Sequence, residues 1–129
     1  MEPITLEELR FFEEHEAAFP ICEALRAGIL REIAGVRIGV KRTQISFRTK
    51  YGFAAVSFLP VRRAAQRPPV WLTVTFGLPE RLCDPRVDAA VEPYPNRWTH
   101  HVMVGAPEEA DGQLLGWLRE AAAFSAGKR

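Results

Sequence analysis

A change of rhythm at Val36 constrains this chain more than any other feature of its sequence. Before it, Ile21, Leu25, Ile29 and Ile33 fall four apart, with Leu30 widening the stripe, as on the buried face of a helix. After it, Val36, Ile38 and Val40 alternate with Arg37, Gly39 and Lys41, and Ile45 and Phe47 alternate with Gln44, Ser46 and Arg48. That is the period of a half-buried strand. Phe53 to Phe58 continues the pattern after a tight turn at Lys50-Tyr51-Gly52 and stops at Pro60. Trp71 to Phe76 resumes it beyond an exposed connection closed by Pro68-Pro69, with Leu72, Val74 and Phe76 facing one way and Trp71, Thr73 and Thr75 the other. Strands that follow one another with no helix between are joined by hairpins and pair antiparallel.

The flanks supply the helices. Thr5 and Glu8 have the spacing of a capping box, and Leu6, Leu9 and Phe12 follow at helical spacing, predicting a short helix over about residues 5 to 15. A second helix starts near Phe19, with Pro20 tolerated in its first turn, and Gly35 stops it. Trp98 to Val104 is a further strand, and Pro93-Tyr94-Pro95-Asn96 is a turn, while Val87 to Val91 fits either a strand or a short helix. Pro107-Glu108-Glu109 suits the start of a last helix, whose buried face is Leu114, Trp117, Leu118, Ala121 and Phe124, and the tail from Ser125 to Arg129 should fray. The expected fold is α+β: an antiparallel sheet of about five strands, with two N-terminal helices and one C-terminal helix packed on one face.

At 129 residues, 47% apolar and 26% charged, the chain suits a single domain over residues 1–129 that buries its own core. The start, Met1-Glu2-Pro3-Ile4-Thr5, lacks the basic and apolar runs of a signal peptide, and nothing approaches the roughly 20 apolar residues of a membrane helix. Cys22 and Cys83 are too few for a disulfide framework and are expected as free thiols, so the expected setting is cytoplasmic, with no membrane partner. There is no glycine-rich phosphate loop and no GxSxG elbow, and no cofactor is expected.

The net charge of +1 hides an uneven distribution. Residues 31 to 67 hold nine bases, Arg31, Arg37, Lys41, Arg42, Arg48, Lys50, Arg62, Arg63 and Arg67, against the single acid Glu32, whereas residues 1 to 30 hold seven acids and two bases. A basic face on the hairpin attracts phosphate, carboxylate or nucleic-acid ligands, or an acidic partner surface. The competing use of these arginines is pairing with Glu7, Glu8, Glu13 and Glu14 of the first helix.

Asn96-Arg97-Trp98-Thr99-His100-His101 is the densest cluster of polar and aromatic groups. It offers an anion contact, or acid–base chemistry near neutral pH. On a strand His100 and His101 point to opposite faces, so one site can use only one of them unless a bulge intervenes. No HxH, HxxE or CxxC spacing appears, and no metal site is expected. Trp71 and Trp98 could instead form an apolar patch for a homodimer or partner protein.

Phe12-Glu13 followed by a capped helix, Val40-Lys41-Arg42-Thr43-Gln44-Ile45-Ser46-Phe47, Phe53 to Pro60, Glu92 to His101, Asp111 and Trp117 together resemble a family of uncharacterised bacterial domains, itself a domain of unknown function. Its strand pattern is similar to that of the YdhG-like and YjbR-like small α+β domains. The most specific stretches are Lys41 to Phe47 and Arg97 to His101. The resemblance implies helices on an antiparallel sheet and no established activity, and it brings only the suggestion, made for YjbR-like domains, of DNA binding. Lys41, Thr43, Gln44, Ser46, Arg97, Thr99, His100 and His101 match the polar positions of the family pattern.

Three functions from different classes follow. The first is a binding module for an anionic ligand bearing phosphate, carboxylate or nucleic acid, with Lys41, Gln44, Ser46, Arg48, Arg97, Thr99, His100 and His101 as candidate contacts. The others are a protein–protein interaction domain, and an enzyme with His100 or His101 as general base and Arg97 stabilising developing negative charge.

Overall fold

The sequence pattern passes from helix to sheet where the chain itself does. The computed structural model describes residues 2–127. Helix α1 (Leu6–Phe11) and a 3-10 turn (Glu16–Ala18) precede helix α2 (Phe19–Glu32). Gly35, with φ +73°, then turns the backbone into the sheet. Strands β1 (Arg37–Val40), β2 (Gln44–Arg48), β3 (Gly52–Ser57), β4 (Leu72–Leu78), β5 (Ala89–Tyr94) and β6 (Arg97–Val104) follow, and helix α3 (Gly112–Ala126) ends the described fold. The six strands form one sheet in the order β1-β2-β3-β4-β6-β5, with every neighbouring pair antiparallel. Among the described residues no helix is long and apolar enough to cross a membrane.

The sheet has six strands rather than about five, and the extra one is β5, in the segment that fitted strand or helix equally well. As an edge strand it is mostly exposed and has no apolar alternation to reveal it. It also carries Pro93, which an edge tolerates because one side of the strand needs no N–H donor. The turn into β6 narrows to Pro95-Asn96, where Asn96 takes φ 64°, as the third position of a type II turn requires.

Register divides the side chains into two sets. Val56, Val74 and Val102 are cross-strand partners, as are Phe47, Ala54, Phe76 and His100, and this set faces the helices. Ile21, Leu25 and Ile29 of α2 and Leu114, Leu118 and Ala121 of α3 complete the core against it. The other set, Ser46, Ala55, Thr75 and His101, faces away from α2 and α3. One end of that second face is covered: Thr73 donates through Oγ1 to the Leu59 carbonyl at 2.7 Å, and Arg62 Nε donates to Asp88 at 2.7 Å.

Three helix boundaries differ from the sequence expectation. α1 stops at Phe11 because Phe12 turns into the core, edge-on to Phe11 and Phe19. Pro107–Glu109 form only a 3-10 turn, and α3 begins after Asp111, whose Oδ1 accepts from the Leu114 N–H at 3.0 Å as an N-cap. Fraying does not set in at Ser125, which is buried in α3 with its hydroxyl donating to the Ala122 carbonyl at 3.0 Å. Lys128 and Arg129 lie outside the described residues.

A six-residue helix such as α1 has little stability of its own. Its capping box forms, with the Glu8 N–H donating to Thr5 Oγ1 at 3.2 Å and Thr5 N–H donating to Glu8 Oε1 at 3.1 Å. Glu8 is also the buried partner of Arg26 on α2: Nε donates to Oε2 at 2.6 Å and Nη2 to Oε1 at 3.1 Å. The same guanidinium donates to the carbonyls of Glu2 and Pro3 at 2.8 and 3.0 Å, so it fastens the N-terminal segment as well. Removing one member of a buried pair strands the other charge, at a cost of about 3–5 kcal/mol. Glu8→Ala should therefore lose about that much stability in urea denaturation, and the double variant Glu8→Leu/Arg26→Met clearly less than the sum of the two single changes. Equal stability of Glu8→Ala and the parent would show that the pair holds nothing.

Candidate functional site

The face turned away from α2 and α3 is built from short side chains on its central strands. Ala55, Ser57, Thr75 and Gly77 keep its floor low, while Arg48 on β2 and Arg97 on β6 rise beside it. The result is two adjoining depressions that share Gln44 and Thr75.

The first is a shallow cup of about 560 Å³ over β2, β3, β4 and β6. Lys41, Arg48, Lys50 and Arg97 bring positive charge to its lining, and Gln44, Ser46, Thr75 and Thr99 bring hydrogen-bonding groups. Among the described residues, no aspartate or glutamate lines it. Arg97 lies across the strand floor: a β-carbon at Gly77 would sit 2.6 Å from its Cζ, so any side chain there would displace the guanidinium. Its guanidinium is 5.9 Å from the centre of the Phe124 ring. Among the described residues, neither Arg97 nor Lys41 forms an ion pair. Arg48 makes only a long contact to the Lys50 carbonyl, at 3.4 Å.

The second depression is a cleft of about 730 Å³ between the sheet and the segment from α1 to the 3-10 turn. Gln44, Ser57, Thr75 and His101 are on its sheet side, and Arg10, Phe11, Glu13, Glu14 and His15 come from the helical segment. Thr75 and His101 are direct cross-strand partners, and Thr75 Oγ1 lies 2.8 Å from His101 Nδ1. Burial lowers the His101 pKa from its ordinary value, which keeps the ring neutral at pH 7. The Phe58 ring stacks on His15 at 4.0 Å and on Phe11 at 5.8 Å, so one side of the cleft is aromatic.

His100 does not join the other candidate residues. Strand alternation turns it to the helix face, where it has no exposed surface and stacks on Phe76 at 5.2 Å. Its Nε2 accepts from the Leu82 N–H at 2.9 Å, so the neutral ring carries its proton on Nδ1, which has no hydrogen-bond partner among the described residues. Lys41, Gln44, Ser46, Arg48, Arg97 and Thr99 line the cup, and His101 lines the cleft. Sequence inspection missed His15, Glu13 and Glu14 as cleft residues, because nothing local says which sheet face the α1 segment borders. Thr75 was within reach, since it alternates with Val74 and Phe76 on the correctly expected strand β4.

Two other expectations are corrected by position. Trp71 and Trp98 cannot share a patch, because Trp71 precedes the first residue of β4 while Trp98 pairs with its last, Leu78. Each lies under its own arginine, Arg67 at 5.7 Å and Arg81 at 5.8 Å. Nor do the hairpin bases pair with the first helix among the described residues, since Glu8 is taken by Arg26 and Arg62 by Asp88. Cys22 is buried in the core with its thiol pKa pushed up to about 12, chiefly by that burial, and is no nucleophile.

Fold and site together define a small α+β domain with one face of its sheet under helices and the other open and polar. The chain matches the Domain of unknown function (DUF5655) family over residues 10–125 and belongs to that family. No match was found among curated proteins or among solved structures.

The buried imidazole gives the domain an acid limit. Burial, foremost, holds the His100 pKa below the ordinary 6.5, the backbone of Phe76 and Trp98 opposes it, and Arg81, together with His101 once that ring is protonated, adds to the lowering. As pH falls below 6.5 the unfolded chain takes up a proton that the folded chain refuses, so stability declines with acidity. The contribution is absent above the unfolded pKa and is bounded at about 1.4 kcal/mol per pH unit for one group. Urea unfolding between pH 8 and pH 5 should show this decline in the parent and a flatter profile in His100→Gln, which keeps an acceptor for Leu82 but does not titrate. Parallel profiles would exclude His100 as the cause.

Proposed function

We propose that the domain binds an anionic ligand in the cup on the open sheet face. The observation that carries this is a lining with four cationic side chains, Lys41, Arg48, Lys50 and Arg97, and no carboxylate among the described residues. Ionised donors form stronger hydrogen bonds than neutral ones, and a guanidinium presents two parallel N–H groups to a phosphate or carboxylate. Gln44, Ser46 and Thr99 supply neutral donors beside them. Arg97 is the central contact, because the bare backbone of Gly77 sets its guanidinium against the floor and fewer rotamers are lost when an anion arrives.

One observation favours catalysis as a second reading. His101 sits in a cleft, is neutral at working pH and has an orienting partner in Thr75, as a general base requires. In that reading Arg97 and its neighbours hold the anionic part of a substrate while His101 accepts a proton from it.

Titration calorimetry with inorganic phosphate, a phosphorylated sugar and a dicarboxylate tests the proposal. Losing one charge-assisted hydrogen bond costs about 1.5–3 kcal/mol, so Arg97→Ala should raise the Kd for the preferred anion roughly tenfold or more. Arg63→Ala, exposed and outside the cup, should leave it unchanged. Added salt should weaken binding. Binding that is indifferent to Arg97→Ala, or no binding of any anion, would reject the cup.

A further inference from the structure

We infer that the cleft beside the cup is a second subsite for the same ligand, and that the ligand is a nucleoside monophosphate whose base carries an exocyclic amine. This rests on the anion-binding role of the cup and adds a substrate class to it.

Continuity comes first. The cup and the cleft meet at Gln44 and Thr75, so one molecule can reach from the first into the second across those two side chains. Strand geometry sets the scale: Thr99 is about 7 Å and Arg97 about 13 Å along β6 from His101, at ~3.3 Å per residue. A ligand of roughly that length places its anionic end at Arg97 and its other end beside His101.

The two ends want different chemistry. In the cleft, Phe11, Phe58 and His15 stack on one another, and the outer side of that stack is an apolar surface against which a planar ring can pack. Glu13 and Glu14 on the same wall are acceptors only, and so call for N–H donors rather than a second anion. Arg10 and Arg42 supply donors for ring nitrogens or carbonyls, and Gln44 at the junction can do either. A planar heterocycle with an exocyclic amine and ring acceptors satisfies all of these groups at once. A dicarboxylate or an extended polyphosphate satisfies fewer of them, because its far charge could pair with Arg10 and Arg42 but would leave Glu13 and Glu14 facing an anion.

The same carboxylates argue against a polynucleotide. A strand running out of the cup through the cleft would bring its next phosphate into a lining that mixes Glu13 and Glu14 with Arg10 and Arg42, where a nucleic-acid groove continues basic. The ligand is therefore a single nucleotide.

Calorimetry on the full chain with AMP, CMP, UMP, ribose 5-phosphate and a ten-nucleotide single strand tests this. AMP or CMP should bind at least tenfold more tightly than ribose 5-phosphate, and UMP should fall short of the amine-bearing base. Glu13→Gln/Glu14→Gln should erase that margin and leave ribose 5-phosphate unchanged. Both residues are exposed and form no ion pair among the described residues, and a thermal melt matching the parent would confirm that the variant folds. Arg97→Ala should weaken every phosphate. Equal affinity for AMP and ribose 5-phosphate, both sensitive to Arg97→Ala, overturns the nucleotide and leaves the anion cup standing. Absence of any binding sensitive to Arg97→Ala overturns both. Tighter binding of the oligonucleotide than of AMP overturns the single nucleotide in favour of a strand.

Discussion

The buried contact between Glu8 and Arg26 carries more of this architecture than its size suggests. Helix α1 is too short to persist alone, and it contributes no strand to the sheet. What anchors it is a carboxylate that caps its own helix and at the same time accepts two N–H groups from α2. Desolvating two charges is costly, and the pair is tolerated because its remaining donors reach the carbonyls of Glu2 and Pro3. Arg10, Phe11, Glu13, Glu14 and His15 follow on the chain and form the outer wall of the cleft. That wall is held in place by an ion pair made from the helix that leads into it.

A second constraint acts through the register of β4 with β6. It sets Phe76 opposite His100 and Thr75 opposite His101, so adjacent imidazoles enter different environments. One is packed under α3 among aromatic rings and fixes the segment at Leu82. The other meets a threonine hydroxyl at the edge of a cleft. A slip by one residue would exchange them, putting the core histidine in the cleft and valines on the open face. The hydrophobic set Val74, Phe76 and Val102 forbids it.

Much of this was legible from periodicity alone. The alternation from Val36 to Phe58 and from Trp71 to Phe76 gives the sheet and the antiparallel order, and the opposed directions of His100 and His101 follow from strand geometry. β5 escaped because an edge strand needs no apolar alternation, and Ala89 to Tyr94 has little. The start of α3 was misjudged because Pro107-Glu108-Glu109 looks like a first turn, whereas Asp111 provides the better cap. The cup was accessible in part, since Gln44, Ser46 and Arg48 share a strand face with period two. The cleft was not: its wall comes from a segment whose position is decided by a contact across eighteen residues, and no local pattern encodes that.

The margins of the sheet bear on how the protein behaves in a crowded solution. An open sheet offers unpaired amides and carbonyls at both outer strands, which invites other chains to add on. Here β5 ends in Glu92, Pro93 and Tyr94, with its pairing to β6 shifting register between Val91 and Tyr94, so an incoming strand meets a missing donor and an uneven partner. At the opposite margin β1 offers only four residues, beginning with the exposed Arg37. Polymerisation through sheet extension is discouraged at both ends, and the open polar face does not become the side of a growing fibril.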